Sequence, residues 1–189
     1  MDLTCVRDRL VLAFLLVAVC LPSFPASAER GIYEKWLDED VRWIITTPER
    51  AEFVRLSTSK ERDQFVEAFW ARRDPTPGTP KNEFKEEHYR RIAYANEHFA
   101  AGVPGWKTDR GRTYIVYGPP DKIESHPFTA PRGMLQQKND VDSSGYPYEV
   151  WHYQHMNGMN RDVPVKFVDT CRCGNYQRQT DPSERLELP

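Results

Sequence analysis

The sequence has little net charge, few cysteines and a single long apolar run, and each scarcity excludes a class of protein. Its 26 Lys and Arg residues nearly balance its 28 Asp and Glu residues, so the chain as a whole does not attract nucleic acid or an anionic membrane. The apolar run from Leu10 to Leu21 is too short to span a bilayer comfortably. No phosphate loop, dinucleotide fingerprint or Gly-x-Ser-x-Gly elbow occurs. The sequence therefore offers no positive sign of an enzyme, and no cofactor is predicted.

The first 28 residues are predicted to be a secretory signal peptide. Arg7 and Arg9 form a modestly positive start, the apolar run follows, and Ala26-Ser27-Ala28 is a small-x-small cleavage signal. A lipoprotein anchor on Cys20 is the competing interpretation, but Val19 is bulkier than the residue expected before a modified cysteine. We therefore expect a protein exported to the periplasm or beyond the cell, cleaved near Ala28, with no transmembrane segment after cleavage.

The chain from residue 29 to residue 180 is predicted to form one α+β domain, with its helices in residues 32–101. The first helix is indicated by apolar residues at helical spacing from Tyr33 to Ile44. The second is predicted to begin at Thr47-Pro48-Glu49, with Thr47 as its N-cap, and the third at the capping box Thr58-Ser59-Lys60-Glu61.

A rigid connector separates the third predicted helix from the fourth. Asp74 to Pro80 contains three prolines and a glycine, so it ends the third helix near Arg73. Asn82 or Thr79 is predicted to cap the fourth helix, whose apolar stripe runs down to Ala101.

Residues 106–179 are predicted to form an antiparallel sheet of about three to four strands, on which the helices pack. The first strand is predicted at Arg112 to Tyr117, since both of its faces carry apolar side chains, with Gly111 in the preceding turn. Tyr148 to Tyr153 and Val163 to Asp169 are the next strands, and a fourth begins at Tyr176. Helices followed by strands, without β-α-β alternation, indicate the α+β class.

Two stretches are predicted to lack regular structure. Ser125 to Pro147 has no periodicity and several prolines and glycines, so it should be a long loop, with room for a short strand. Residues 181–189 are polar and are predicted to form a flexible tail.

The turn before the predicted central strand carries a family motif. Gly105-Trp106-Lys107-Thr108-Asp109 resembles the defining motif of the GWxTD domain, a bacterial domain without an assigned activity. The resemblance also includes Trp43-Ile44-Ile45-Thr46, Phe69 to Pro75, Asn82-Glu83-Phe84, Arg110-Gly111-Arg112 and Tyr117 to Asp121. It extends over roughly Tyr33 to Tyr176. It implies an exported bacterial protein, often found with further domains, and carries over no catalytic residue.

The candidate binding residues are the polar and aromatic side chains of this motif and of the proline-rich connector. They are Trp106, Thr108, Asp109, Arg110, Arg73, Asp74 and Glu83. If connector and turn meet in space, the side chains could form a convergent acid, base and guanidinium site. The competing interpretation is an Arg-Asp network that pins the helices to the turn, with Trp106 as a buried plug rather than a ligand platform.

Cys171 and Cys173 are the two cysteines that remain after signal cleavage. An intramolecular bridge between such close neighbours is possible but strained, and free surface thiols or an intermolecular bridge are the more ordinary states. The pair might join His152 or His126 on a zinc ion, but four ligands are not in evidence, so no metal is predicted.

Three functional hypotheses follow from these observations. The first is a non-enzymatic module that binds an unknown protein or envelope component through the Ser125 to Pro147 loop and the aromatic groove beside it. The second is a hydrolase acting on peptide or glycan, with Asp109, Glu83 or His88 as acid or base, which requires these side chains to line one open pocket. The third is a thiol redox protein using Cys171 and Cys173.

Overall fold

The computed structural model describes residues 26–127, 145–156 and 161–179, and helices precede strands throughout. The helices are α1 Ala26–Lys35, which continues as a π-helical turn Trp36–Asp40, α2 Thr47–Arg55, α3 Ser59–Ala71, α4 Glu83–His98, a 3-10 turn Gly105–Lys107, and α5 Asp109–Tyr117. The strands are β1 Lys122–His126, β2 Tyr148–Tyr153, β3 Val163–Val168 and β4 Gln177–Arg178. Within these described residues, no helix has the length and apolar character needed to cross a membrane.

The four strands form one antiparallel sheet in the order β1-β2-β3-β4. Trp151 on β2 pairs with Ile123 on one side and with Val165 on the other. Because alternate side chains of a strand share a face, Trp151 and Tyr153 point to one side, and both are buried there. The α+β class and the antiparallel sheet expected from the sequence are therefore confirmed.

Two aromatic clusters form the interior. The first belongs to the π-helical turn, α2 and α3, and contains Trp36, Leu37, Val41, Phe53, Phe65, Phe69 and Trp70. The second lies between α4, α5 and the sheet, and contains Ala95, Phe99, Trp106, Ile115, Trp151, Tyr153, Met156, Val163, Val165 and Phe167. Trp43 follows the π-helical turn in sequence but packs on the second cluster, so it connects the first helices to the sheet side.

The segment Arg112–Tyr117, predicted as the central strand, is the body of helix α5, and that prediction is wrong. Gly111, Thr113 and Ile115 are all buried, because α5 is covered by α4 on one side and approaches β4 on the other. Side chains buried at alternate positions look strand-like, and periodicity alone does not separate a short buried helix from an interior strand. The sheet therefore begins at Lys122 and not at residue 106.

Several helix boundaries also differ from the expected ones by a few residues. Thr46, and not Thr47, caps α2, through a capping box with Glu49. The first helix ends through the π-helical turn, before Ile44, and α4 ends at His98 rather than at residue 101.

Other sequence predictions are confirmed. The capping box of Thr58 and Glu61 starts α3, and Asn82 caps α4. The strands predicted at residues 148–153 and 163–169 correspond to β2 and β3. A short strand, β1, overlaps the start of the predicted long loop, of which residues 128–144 lie outside the described ranges, as do the first 25 residues of the predicted signal peptide and the 181–189 tail.

A partly buried carboxylate between two arginines joins α2 to the end of α3. Arg73 donates from both terminal nitrogens to the two oxygens of Glu49, at 3.0 and 2.7 Å, and Arg72 adds a bond of 3.1 Å. Arg73 also donates to the carbonyl oxygens of Phe69 and Ile44. A bidentate pair of this kind fixes geometry as well as charge.

Stability is expected to fall as the pH drops through the range in which Glu49 takes up a proton. Burial alone raises the pKa of Glu49, but hydrogen bonds from Arg73, Thr46 and Arg72 outweigh burial and lower the pKa from 4.5 to about 2. A carboxyl with a lowered folded pKa stabilises the fold above its unfolded pKa and loses that contribution below it. We expect Glu49→Gln to lower the free energy of unfolding at neutral pH by about 2 kcal/mol.

Urea titrations at a series of pH values measure this effect. The wild-type stability should decline between about pH 5 and pH 2 more steeply than that of Glu49→Gln. Glu52→Gln is the matched control, since Glu52 is exposed on the same helix and its loss should change stability by less than about 0.5 kcal/mol. Identical pH profiles for wild type and Glu49→Gln would contradict the assignment.

Candidate functional site

Gly105 stands where the turn after α4 touches the backbone of α4. A Cβ atom on Gly105 would lie 1.8 Å from the carbonyl oxygen of Ala95 and 2.8 Å from the Cα of Asn96. Backbone atoms cannot move aside as a side chain can, so only glycine fits this position. The first residue of the motif is thus required by close packing of the turn on α4.

Trp106 is buried beneath the turn, with 6% of its surface exposed, as the plug interpretation predicts. Its amide donates to the side-chain oxygen of Asn96 at 3.0 Å, and its carbonyl accepts from the indole nitrogen of Trp43 at 2.9 Å. The backbone of Trp106 is therefore hydrogen-bonded both to α4 and to the segment that follows the π-helical turn.

Thr108 starts helix α5. Its hydroxyl donates to the carbonyl of Gly105 at 2.8 Å and accepts from the amide of Gly111 at 3.0 Å, and the residue is buried. A threonine N-cap satisfies one of the free amides of the first helical turn. Thr108 and Gly111 therefore serve a helix start, and not the turn before a strand that was predicted from the sequence.

Asp109 connects α5 to the last strand. Its carboxylate accepts from the backbone amide of Arg178 in β4 at 2.8 Å, across 69 positions of sequence. β4 is two residues long and pairs with β3 on its other side. Among the described residues β4 is an edge strand, and this hydrogen bond satisfies its Arg178 amide.

Removing the Asp109 carboxylate is expected to release β4. Asp109→Ala should raise the exchange rate of the Arg178 amide by about tenfold or more and lower the free energy of unfolding by about 1 to 2 kcal/mol. Asp109→Asn keeps an acceptor oxygen at the same place and should show a smaller effect on both. Amide hydrogen exchange measures the first quantity and urea unfolding the second, and an unchanged Arg178 amide in Asp109→Ala would contradict this role.

Arg110 ties the same helix to two neighbouring segments. It donates to Glu149 on β2 at 3.2 Å and to the carbonyl of Gly174 at 3.1 Å, and its guanidinium lies over the Tyr176 ring at 4.1 Å. Glu149 in turn accepts from the indole of Trp151 at 2.9 Å. The first arginine after the motif is thus engaged within the fold.

The connector residues predicted as binding residues are engaged with local partners. Asp74 accepts from the amide of Thr76 at 3.0 Å, and Glu83 accepts from the hydroxyl of Thr76 at 2.5 Å, a bond that lowers the pKa of Glu83. Arg73 is committed to Glu49. The connector and the motif turn thus have separate sets of partners, and no hydrogen bond or ion pair among the described residues joins one to the other.

The hydrolase hypothesis requires Asp109, Glu83 and His88 to line one pocket. His88 is buried with 3% of its surface exposed, its Nε2 lies 2.6 Å from the carbonyl oxygen of Asp40, and burial lowers its pKa. One cavity among the described residues is lined by His88 but not by Asp109 or Glu83, and a second cavity is lined by none of the three. The geometry needed for joint acid and base chemistry is absent from both.

Cys171 and Cys173 form an intramolecular disulfide, and not free thiols or an intermolecular bridge as expected. Asp169 is buried and accepts from the amides of Cys173 and Gly174 at 3.1 and 2.8 Å, while Arg172 adopts a left-handed φ of 56°. This tight turn brings the two Cα atoms to 5.2 Å, within the normal disulfide range. Ligand atoms of Asp169 and both cysteines lie within 4.8 Å of one another, but bonded sulfurs are not thiolate ligands.

Thiol titration of the chain from Glu29 to Pro189 tests the bridge. No thiol should react before reduction, and two should react after treatment with dithiothreitol, since both cysteines are exposed. Cys171→Ser is the control, because it leaves a single thiol that reacts in both conditions. Reaction of two thiols in the unreduced protein would contradict the disulfide.

Sequence reasoning missed the residues that form hydrogen bonds with the motif. Asn96 on α4 and Glu149 on β2 accept from Trp106 and Arg110, and the Arg178 amide donates to Asp109. These partners are far from the motif in sequence, and no local pattern identifies them. Trp43 is the exception, because it lies in Trp43-Ile44-Ile45-Thr46, one of the segments that resemble the GWxTD domain.

The fold and the turn define the class of this protein as an α+β module whose glycine-tryptophan turn fastens helices to an antiparallel sheet. The family model of the GWxTD domain matches residues 17–172, and the protein belongs to this family. No curated protein and no solved structure matches the chain. The resemblance drawn from the sequence is thereby confirmed, and family membership assigns no activity.

Proposed function

We propose that this protein is an exported, non-enzymatic module that binds a protein or a component of the cell envelope, in the periplasm or outside the cell. The observation that supports this proposal is that the motif residues are engaged in contacts within the protein itself. Gly105, Trp106, Asp109 and Arg110 contact other parts of the chain, and Thr108 caps the helix that follows. Because these contacts hold the helices and the sheet together, we assign the motif a structural role and propose a binding surface elsewhere.

The base of the Ser125 to Pro147 loop is the proposed surface. Tyr146 is 40% exposed at the C-terminal end of this loop. Tyr148, two residues further on, stacks on His126 at the N-terminal end of the loop, with ring centroids 4.3 Å apart. Ile123, on the outer strand β1, is 49% exposed. Tyrosine rings that are apolar on their faces and polar at their tips are typical of binding surfaces.

A crosslinking pull-down from native envelope extract tests the proposal. The wild-type chain is expected to capture a reproducible partner, whereas Tyr146→Ala and deletion of Met134 to Ser144 should each lose it while keeping the wild-type circular dichroism spectrum. Tyr94→Ala is the matched control, since Tyr94 is 38% exposed and lies on α4. Capture that is unchanged in both loop variants would reject this surface, and the absence of any reproducible partner would reject the binding function.

A further inference from the structure

Two arginines face one partly buried indole beside the motif turn. The guanidinium carbon of Arg112 lies 4.6 Å from the ring centroid of Trp43, and that of Arg42 lies 5.1 Å from the same centroid. The indole nitrogen is bonded to the carbonyl of Trp106, so the ring is fixed. Stacking on a fixed ring holds a guanidinium in place while its N–H groups stay free to donate.

A third arginine belongs to the same cluster. Arg178 on β4 is held beside helix α5, because its backbone amide donates at 2.8 Å to Asp109, which lies in the same helix as Arg112. Burial lowers the pKa of Arg112, and the neighbouring charges of Arg178 and Arg42 add to this effect. The Asp109 carboxylate offsets part of the repulsion on Arg112, and it already accepts from the Arg178 amide. The cluster therefore has a local excess of positive charge, on a protein whose overall charge is slightly negative.

The guanidinium N–H groups of these three arginines have no acceptor among the described residues. The Nε of Arg112 is buried without a hydrogen-bond partner. Across residues 26–127, 145–156 and 161–179, none of the three guanidinium groups forms an ion pair, and none donates a side-chain hydrogen bond. This contrasts with Arg73, Arg91 and Arg110, which are each paired with a glutamate.

We propose that Arg42, Arg112 and Arg178 form a binding site for an oxyanion, a carboxylate or phosphate group carried by an external ligand. Planar guanidinium groups donate two parallel bonds to such groups, and a charge-assisted bond satisfies a buried N–H that water reaches poorly. The site lies next to the motif turn rather than on the loop of the proposed function, so it extends that proposal and does not depend on it.

Fluorescence anisotropy with a fluorescein-labelled triglutamate peptide tests the site on the full chain. Binding is expected at low ionic strength and should weaken as salt is added. Arg42→Gln and Arg112→Gln should each reduce the affinity by about tenfold. Arg42 is exposed, so Arg42→Gln provides a variant that keeps the fold even if Arg112→Gln is destabilised.

Arg55→Gln is the matched control. Arg55 is exposed on α2, so its replacement removes the same charge away from the cluster and should change the affinity by less than about twofold. Equal losses for Arg55→Gln and Arg42→Gln would show a general charge effect and overturn the site, as would the absence of binding to both triglutamate and pyrophosphate.

Competition distinguishes the two sources of the oxyanion. If unlabelled pyrophosphate displaces the labelled peptide more effectively than unlabelled triglutamate does, the site takes phosphate groups, and the reverse order indicates carboxylates. In the pull-down, a partner retained by Arg42→Gln but lost by Tyr146→Ala would leave the loop surface standing and separate its function from that of the arginine cluster.

Discussion

Replacing Gly105 with alanine is expected to destabilise the protein by at least about 3 kcal/mol. The new Cβ would lie 1.8 Å from the carbonyl oxygen of Ala95 and 2.5 Å from its carbonyl carbon. Both atoms are backbone in the last turn of α4, so relief requires the turn and the helix to separate. Separation would also weaken the bond between the Trp106 amide and Asn96. Urea unfolding followed by circular dichroism measures the loss.

Gly31→Ala is the matched control for this substitution. Gly31 lies in α1, and a Cβ there would meet nothing within 4 Å. Alanine is a better helix former than glycine by about 1 kcal/mol, so Gly31→Ala should leave stability unchanged or raise it slightly. A Gly105→Ala protein as stable as the wild type would show that the turn does not pack on α4 as described.

The elements with local signals could be predicted from the sequence. Thr58 with Glu61, and Asn82, mark helix starts through bonds made within a few residues, and the alternating aromatic residues of β2 identify a strand. Such signals are physical consequences of neighbouring residues and need no tertiary contact. The α+β class follows from the order of these elements.

Helix α5 could not be predicted in this way, because its pattern is set by what surrounds it. Gly111, Thr113 and Ile115 are all buried although they alternate along a nine-residue helix. A Cβ atom added at Gly111 would lie 1.9 Å from the carbonyl oxygen of Gly105, so that position requires glycine. Tertiary burial on two sides hides the helical period. A threonine such as Thr108 bonds nearby backbone both at a helix start and in a turn, so its residue type alone does not separate the two.

The candidate site shows the same division. The motif residues were found from the sequence, yet these partners are separated from them by 10 to 69 positions and lie on four other segments. The disulfide of Cys171 and Cys173 was considered possible, but the turn that permits it depends on the buried carboxylate of Asp169 and the left-handed Arg172. Neither feature has a local sequence pattern.

Removing the indole of Trp106 is the second substitution with a large expected effect. Trp106 belongs to the cluster that joins α4, α5 and the sheet, and Trp106→Ala should lower the free energy of unfolding by about 3 to 5 kcal/mol. The backbone bonds of residue 106 to Asn96 and Trp43 use main-chain atoms, so the loss reports the packing of the indole. Lys107→Ala, at an exposed neighbouring position, should change stability by less than about 0.5 kcal/mol.

The same variant separates architecture from recognition at the motif. If the role of the turn is structural, Trp106→Ala should capture the envelope partner in proportion to its folded fraction. Restoring the fold at lower temperature or with a stabilising osmolyte should then restore capture. If the tryptophan contacted the partner directly, capture would stay low in the folded variant. Measuring capture against the folded fraction across a urea series distinguishes these outcomes. A Trp106→Ala protein that is folded but captures no partner would overturn the purely structural role of the motif.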